Sequence, residues 1–194
     1  MLHERIKAAT TQEHMSAEKH SYGREIMDRS LTSTQYSELL VANYSYIAAW
    51  ERQWDELGKT FGLDLNLDSR RKTTLLEEDL RKQGIDPSHV SVTELDVPGT
   101  RAQFLGRMYV IEGSTLGGAV IEKQLKLNPN LNDSGFAFYG GYGQDLIPYW
   151  KAFLAVLNTI EDTVEQDEAI AWAKASFTDM EQCFISARFG SVNS

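Results

Sequence analysis

The sequence predicts an all-α protein, and three observations carry that prediction. Apolar residues recur at i, i+3, i+4 and i+7 spacing through most of the longer segments. Two stretches, Thr32 with Gln35 and Thr100 with Gln103, have the form of capping boxes that open helices. Sustained apolar–polar alternation of the strand type appears nowhere. The expectation is a multi-helix fold of about six to eight helices around one core. At 194 residues the chain is long enough to bury that core as a single domain spanning residues 1–194.

The elements follow in order. Residues from Leu2 to about His20 read as one helix, with Leu2, Ile6, Ala9 and Ala17 on one stripe. The capped segment from Thr32 carries Tyr36, Leu40, Tyr44, Ile47, Trp54 and Leu57 to Gly58, an aromatic stripe that reads as core. Asp68 is the expected cap of a third helix bearing Leu75, Leu76 and Leu80, which Gly84 ends. Residues 70–72 read Arg-Arg-Lys, where the helix dipole disfavours cations, and are expected to be a solvated face. Pro87 and Pro98 bracket a linker. The helix opened at Thr100 stops before Asn128 and Pro129. A glycine-rich loop follows, and Asp145 and Pro148 suit the first turn of a helix whose inner face is Trp150, Phe153, Leu154 and Leu157. A last long helix runs from about Thr163 to Arg188.

Composition narrows the function. The 28 acidic residues outnumber the 19 basic ones, for a net charge of −9, and Lys and Arg gather in no stripe, which disfavours nucleic acid as a partner. The one cysteine, Cys183, rules out an internal disulfide framework and reads as inert packing. No apolar run approaches a membrane span and the N-terminus lacks a signal-peptide layout, so a cytoplasmic protein without membrane partners is expected.

Two places invite chemistry. Gly113, Gly117 and Gly118 fall within one helical segment, where each glycine costs ~1 kcal/mol against alanine. They read either as punctuation and close helix packing, or as bare backbone laid against something flat and bulky at a bend. His14 lies on the first helix with Lys7 two turns earlier, ~10 Å along the same face, a span that one ligand with a central metal and acidic edges could bridge. Spacing alone leaves His14 equally readable as an ordinary half-buried histidine. His3, His20 and His89 read as surface or helix-end residues. No histidine has glutamate three residues before it, so a di-iron carboxylate bundle does not fit, and zinc sites built on several cysteines do not either.

The segments IKAATTQEHMSAE, around His14, and YVIEGSTLGGAVI, holding the glycines, resemble the heme oxygenases, the family that opens heme to biliverdin. The resemblance covers most of the chain, with both motifs in the right order. It implies a heme oxygenase-like fold with heme gripped between a proximal N-terminal helix and a glycine-kinked distal helix. It implies that His14 is the proximal iron ligand, that Lys7 binds a propionate, and that Ala17 and Glu18 line the proximal face. Gly113, Gly117 and Gly118 match the distal glycines that leave room for oxygen. Ser114 stands where animal members carry a distal aspartate that orders water. Trp150 and Leu154 stand where those members carry basic propionate partners, so Lys151, Lys123 or Lys126 is expected to substitute.

The same resemblance implies an enzyme that uses heme b as both substrate and cofactor, consumes O2, and releases carbon monoxide, ferrous iron and biliverdin. No flavin or nicotinamide motif is present, so electrons are expected from an external reductase of ferredoxin or flavoprotein type. A bilin-accepting photoreceptor is a further expected partner. The alternative reading is a heme-binding sensor or carrier of the same fold that performs no ring opening.

Overall fold

The computed structural model describes residues 1–190, with side chains through Arg188, and among them every regular element is helical. In chain order these are α1 (Leu2–Ala9), α2 (Thr11–His20), α3 (Gly23–Met27), α4 (Ser33–Glu51), α5 (Trp54–Thr60), α6 (Thr73–Lys82), α7 (Arg101–Lys126), α8 (Ala137–Gly140), α9 (Leu146–Leu157) and α10 (Thr163–Gly190). Short 3-10 turns lie at Leu67–Arg70, Pro87–His89, Pro129–Leu131 and Gly143–Asp145.

Local chemistry explains most boundaries. Thr32 Oγ1 accepts from the Gln35 amide and the Gln35 side chain returns a bond to the Thr32 amide, so α4 begins with the full capping box. Thr100 Oγ1 likewise accepts from the Gln103 amide, but the Gln103 side chain accepts from the Gly99 amide, so α7 has only half of the expected box. Gly84, at φ +75, ends α6, and the Ile85 amide reaches back to the Leu80 carbonyl at 3.0 Å as in a Schellman motif.

The core centres on α7 and α10, with α4 packed against α10 from another side. Gly106 permits the closest approach, because a Cβ there would stand 2.2 Å from the Ala169 carbonyl oxygen of α10. Any side chain would push the two longest helices apart. Beside it, buried Arg107 lies between the rings of Trp50 and Trp172, at 5.6 and 5.0 Å, and pairs with Asp179 at 3.2 Å. The aromatic stripe of α4 and α5 is core as expected, with Tyr36, Trp50 and Trp54 fully buried.

Several expectations are corrected. The helix expected over Leu2 to His20 is two helices joined at Thr10, whose backbone (φ −103, ψ 9) leaves the helical region while its hydroxyl bonds the Ile6 carbonyl. A threonine hydroxyl that competes for the i−4 carbonyl is a known cause of such a break. The helix expected to run through Trp54 likewise ends at Glu51 and resumes as α5. The short α3 was not anticipated. Asp68 does not cap α6: it lies in a 3-10 turn, and α6 starts after Lys72. The Arg-Arg-Lys segment is not a solvated face, since Arg70 and Lys72 are each 2% exposed.

Candidate active site

A cleft opens between α2 and α7, and its empty space measures about 1050 Å³ out to the solvent-facing mouth. Its enclosed cavity volume is about 220 Å³, below the ~300–1,000 Å³ usual for small-molecule and cofactor sites, and the rest of that space is open to solvent. Its floor comes from α4 and α10 through Ile47, Phe177, Met180 and Phe184, and α8 closes one end with Phe138 and Tyr139. The apolar floor follows from the helical stripes that also make the core.

The α2 wall is held from behind. Ser16 Oγ donates to Glu181 at 2.7 Å, Glu13 pairs with Lys174 at 3.1 Å, and Ala17 is buried, which together fix α2 on α10. His14 projects from that wall, half-exposed, with its ring edge-on to Phe177 at 5.5 Å. Neither ring nitrogen makes a hydrogen bond among the described residues. Its Nδ1 lies 3.7 Å from Glu18 Oε2, beyond hydrogen-bond reach, so both ring nitrogens are free to ligate. No three His, Cys, Asp or Glu side chains converge as a metal cluster among the described residues. A single available imidazole fits a metal that arrives with its other ligands attached.

The α7 wall carries the glycines, and each has a different surrounding. A Cβ on Gly117 would meet nothing within 4 Å, so that position faces open cleft. On Gly118 it would stand 3.0 Å from the Tyr139 carbonyl oxygen, so this glycine lets α8 pack against α7. A Cβ on Gly113 would stand 3.9 Å from the Trp150 ring, an ordinary contact. The helix does not end there: α7 is one element from Arg101 to Lys126. Within it Ser114 Oγ donates to the Ile111 carbonyl at 2.8 Å and Thr115 Oγ1 to that of Glu112 at 2.6 Å, back-bonding that goes with local bending of helices.

Position 79 anchors the end wall. The buried Asp79 carboxylate accepts from the amides of Ala137 and Phe138 at 3.0 and 2.9 Å, holding the first turn of α8 against α6. That anchor sets Phe138 and Tyr139 in the cleft. Burial pushes the Tyr139 phenol well above its ordinary range, and its partner is Asn43 of α4.

Behind Gly113 lies a buried charged cluster. Arg70 pairs with Glu112 Oε2 at 2.5 Å and also donates to the carbonyls of Leu65 and Tyr149. Tyr142 donates to Glu112 Oε1 at 2.6 Å and accepts from Lys72 Nζ at 2.6 Å. Lys72 reaches the cleft itself, and burial pulls its pKa down to about 8 against the raising influence of Glu112 and Glu51. Sequence reasoning placed Arg70 and Lys72 in solvent and passed over Glu112 and Tyr142. One signal pointed to them: an acid inside the apolar run YVIEG must find a cation if that face is buried.

The structure thus brings His14, Ala17, Glu18, Gly113, Ser114, Gly117 and Gly118 to one cleft. Lys7 does not line it; it stands on α1 beyond the Thr10 break, so the straight-helix spacing argument for it fails. Lys151 on α9 is exposed and also outside the cleft, and Lys126 is engaged with Glu122 at 2.7 Å. A second, more polar groove, between α4, α10 and the segment from Ile85 to Thr93, holds His89 and Cys183 and none of these residues.

Fold and cleft together define a class: a helical protein with an apolar-floored slot between two helices, one imidazole on one wall and bare backbone on the other. The comparisons make the class specific. The sequence model of the heme oxygenase family matches residues 1–185. A heme oxygenase of Xanthomonas campestris is 31% identical over 153 residues, 78% of this chain and 89% of that protein. The heme oxygenase of Leptospira interrogans superposes with a TM-score of 0.78 at 20% identity, over 94% of this chain and 98% of that one. Heme oxygenase-1 of the cyanobacterium Synechocystis, solved in complex with heme, gives 0.76 at 16% identity, over 98% and 94%. The NO- and CO-bound heme oxygenase of Neisseria meningitidis gives 0.75 at 21% identity, over 96% and 92%. The chain belongs to the heme oxygenase family. It is an enzyme of that family, a heme oxygenase, and the reading as a non-catalytic carrier or sensor is not favoured. Among the described residues no helix is long and apolar enough to cross a membrane.

Proposed function

We propose that heme lies in the cleft between α2 and α7 with His14 as its iron ligand, and that this chain opens the ring at the face toward Gly117. The observation that carries the proposal is the pairing of a hydrogen-bond-free imidazole with a glycine whose missing Cβ faces open space across the same cleft. When bound, heme supplies the redox metal and the ring that is oxidised; the chain binds, orients and shields it.

The residues divide that work. His14 would hold the heme iron through a ring nitrogen, with Glu18 beside it at 3.7 Å. Ala17 is small and buried, so the macrocycle can approach α2. Gly117 keeps α7 from filling the oxygen side, while Gly113 and Ser114 continue the same wall. The Ser114 hydroxyl proton is committed to the Ile111 carbonyl, so this serine orders water as an acceptor. Phe177, Met180 and Phe184 exclude bulk water from the floor. Resemblance to the family alone assigns the propionates to Lys7 and Lys151, exposed lysines that do not line the slot.

O2 as co-substrate, electrons from a ferredoxin- or flavoprotein-type reductase, a bilin-accepting photoreceptor downstream and a cytoplasmic setting belong to the same proposal. They are supported by the chemistry of the family and by a chain without a flavin or nicotinamide motif. We read residues 1–194 as one unit, of which 191–194 lie outside the described residues.

The test is an optical titration of wild type and His14→Ala with hemin, followed by reductant in air. A one-to-one complex whose Soret band decays as biliverdin absorption rises in the wild type alone is the expected result. A wild-type complex that takes up reductant and oxygen without ring opening would overturn the enzymatic assignment of this cleft, and failure to bind hemin would overturn the heme site itself.

A further inference from the structure

We infer that Lys72 is the polar group this enzyme uses on the oxygen side: its ammonium, anchored through Tyr142 to Glu112, presents a positive charge and a free N–H donor to a small ligand or its water beside Gly113 and Ser114. The inference rests on the reading of the cleft as the heme site.

Hydrogen-bond accounting leads to it. An ammonium has three donors and no acceptor. Lys72 Nζ donates to Tyr142 Oη at 2.6 Å and to the Arg70 carbonyl at 3.2 Å, while Glu112 Oε1, at 3.9 Å, is beyond hydrogen-bond reach. One N–H therefore remains, on a side chain that is 2% exposed and lines the cleft. A buried donor without a partner is costly unless the site supplies one.

The direction of the chain is fixed as well. Tyr142 has one proton, committed to Glu112 Oε1 at 2.6 Å, so its oxygen can only accept from Lys72. Arg70 takes the other Glu112 oxygen. Glu112 is thus satisfied without a direct bond from Lys72, and Glu51 is held by the amides of Lys72 and Thr73 and by the Thr73 hydroxyl. Lys72 therefore serves these carboxylates as a nearby charge, 3.9 Å from Glu112, and not as a hydrogen-bond donor. Ser114, the side chain at the position of the expected water organiser, has already donated its proton to the helix, which leaves Lys72 as a donor where Ser114 is not.

The charge is available at neutral pH. The groups facing Lys72 are Glu51 of α4, Arg70 of the 3-10 turn, Glu112 of α7 and Tyr142, and with them the lysine titrates near pH 8. It is mostly protonated at pH 7 and loses its proton as pH rises through that value.

Azide, a small anion that binds ferric heme, is the probe. Wild type, Lys72→Met, Lys72→Arg and Tyr142→Phe are each loaded with one equivalent of hemin, and azide affinity is read from the Soret shift at pH 7. Lys72→Met is expected to weaken azide binding roughly tenfold or more, the size of one charge-assisted hydrogen bond. Lys72→Arg is expected to restore much of it, and Tyr142→Phe, which keeps the charge but removes its anchor, to fall between wild type and Lys72→Met. Equal azide affinity in wild type and Lys72→Met, each with a normal one-to-one Soret complex, would overturn the inference while leaving the heme site standing. An equal loss in Lys72→Arg and Lys72→Met would also overturn it, because packing and not charge would then be responsible. Absence of any hemin complex in the wild type would remove both.

Discussion

The two walls of the cleft are built on opposite terms. On α2 the functional group stands half in solvent, makes no hydrogen bond, and rests against the Phe177 ring on a helix held from behind. On α7 there is no functional side chain facing the slot at Gly117, yet behind the neighbouring turn lies a buried set of four charged groups and a phenol with nearly every donor spoken for. The difference teaches what each wall is for. A ligating imidazole must keep its ligating nitrogen unpaired to be useful, whereas a backbone surface that a large flat ring will press against needs a rigid backing.

Breaking the backing should have the largest effect. Glu112→Ala strands Arg70 and Lys72 as unpaired buried cations, and losing one partner of a buried pair costs ~3–5 kcal/mol. Urea unfolding at pH 7 should show a midpoint lowered accordingly; a midpoint within error of wild type would mean the cluster is not the support of this wall.

Lys72 gives the next effect, and its sign is unusual. Its pKa falls from 10.5 unfolded to about 8 folded, so between those values the unfolded chain holds more protons and stability rises with pH. Below pH 8 the buried ammonium costs ~3 kcal/mol that is regained as pH climbs toward 10.5. The difference in unfolding free energy between wild type and Lys72→Met should therefore change in the wild type's favour from pH 7 to pH 10, and parallel curves would contradict the burial assigned to this lysine.

The glycines separate stability from function. Gly117→Ala adds a methyl into open cleft and removes a helix-interior glycine, so the unliganded protein should gain ~0.5–1 kcal/mol while hemin binds less tightly. Gly118→Ala forces a Cβ to 3.0 Å from the Tyr139 carbonyl and should forfeit that gain. Thermal melts with and without hemin distinguish the two. The smallest stability effect belongs to His14→Ala, within ~0.5 kcal/mol because the ring is half-exposed and unbonded, even though this variant is expected to lose the hemin complex.

This contrast also explains what could be read from the chain alone. The caps at Thr32 and Thr100, the stop at Gly84, and the paired signals of His14 and the glycines are local, set by residues within a few positions of one another. The backing of α7 is not local: Arg70 meets Glu112 across 42 residues and Lys72 meets Tyr142 across 70. Read by neighbours only, three consecutive cations before a helix look solvated; their burial is decided by an acid far along the chain. The break at Thr10 was hidden for a different reason, because a threonine hydroxyl that bonds its own helix leaves the apolar stripe on either side intact.

The central claim is that His14 and the open face at Gly117 hold the same ring from opposite sides. Hemin titration of Gly117→Leu beside His14→Ala tests it most directly, followed by imidazole added to the His14 variant. Gly117→Leu should lose heme degradation and weaken hemin binding while the fold is kept, and imidazole should restore a Soret band to His14→Ala. Unchanged heme degradation in Gly117→Leu, or a His14→Ala complex spectrally identical to wild type without added imidazole, would contradict the account.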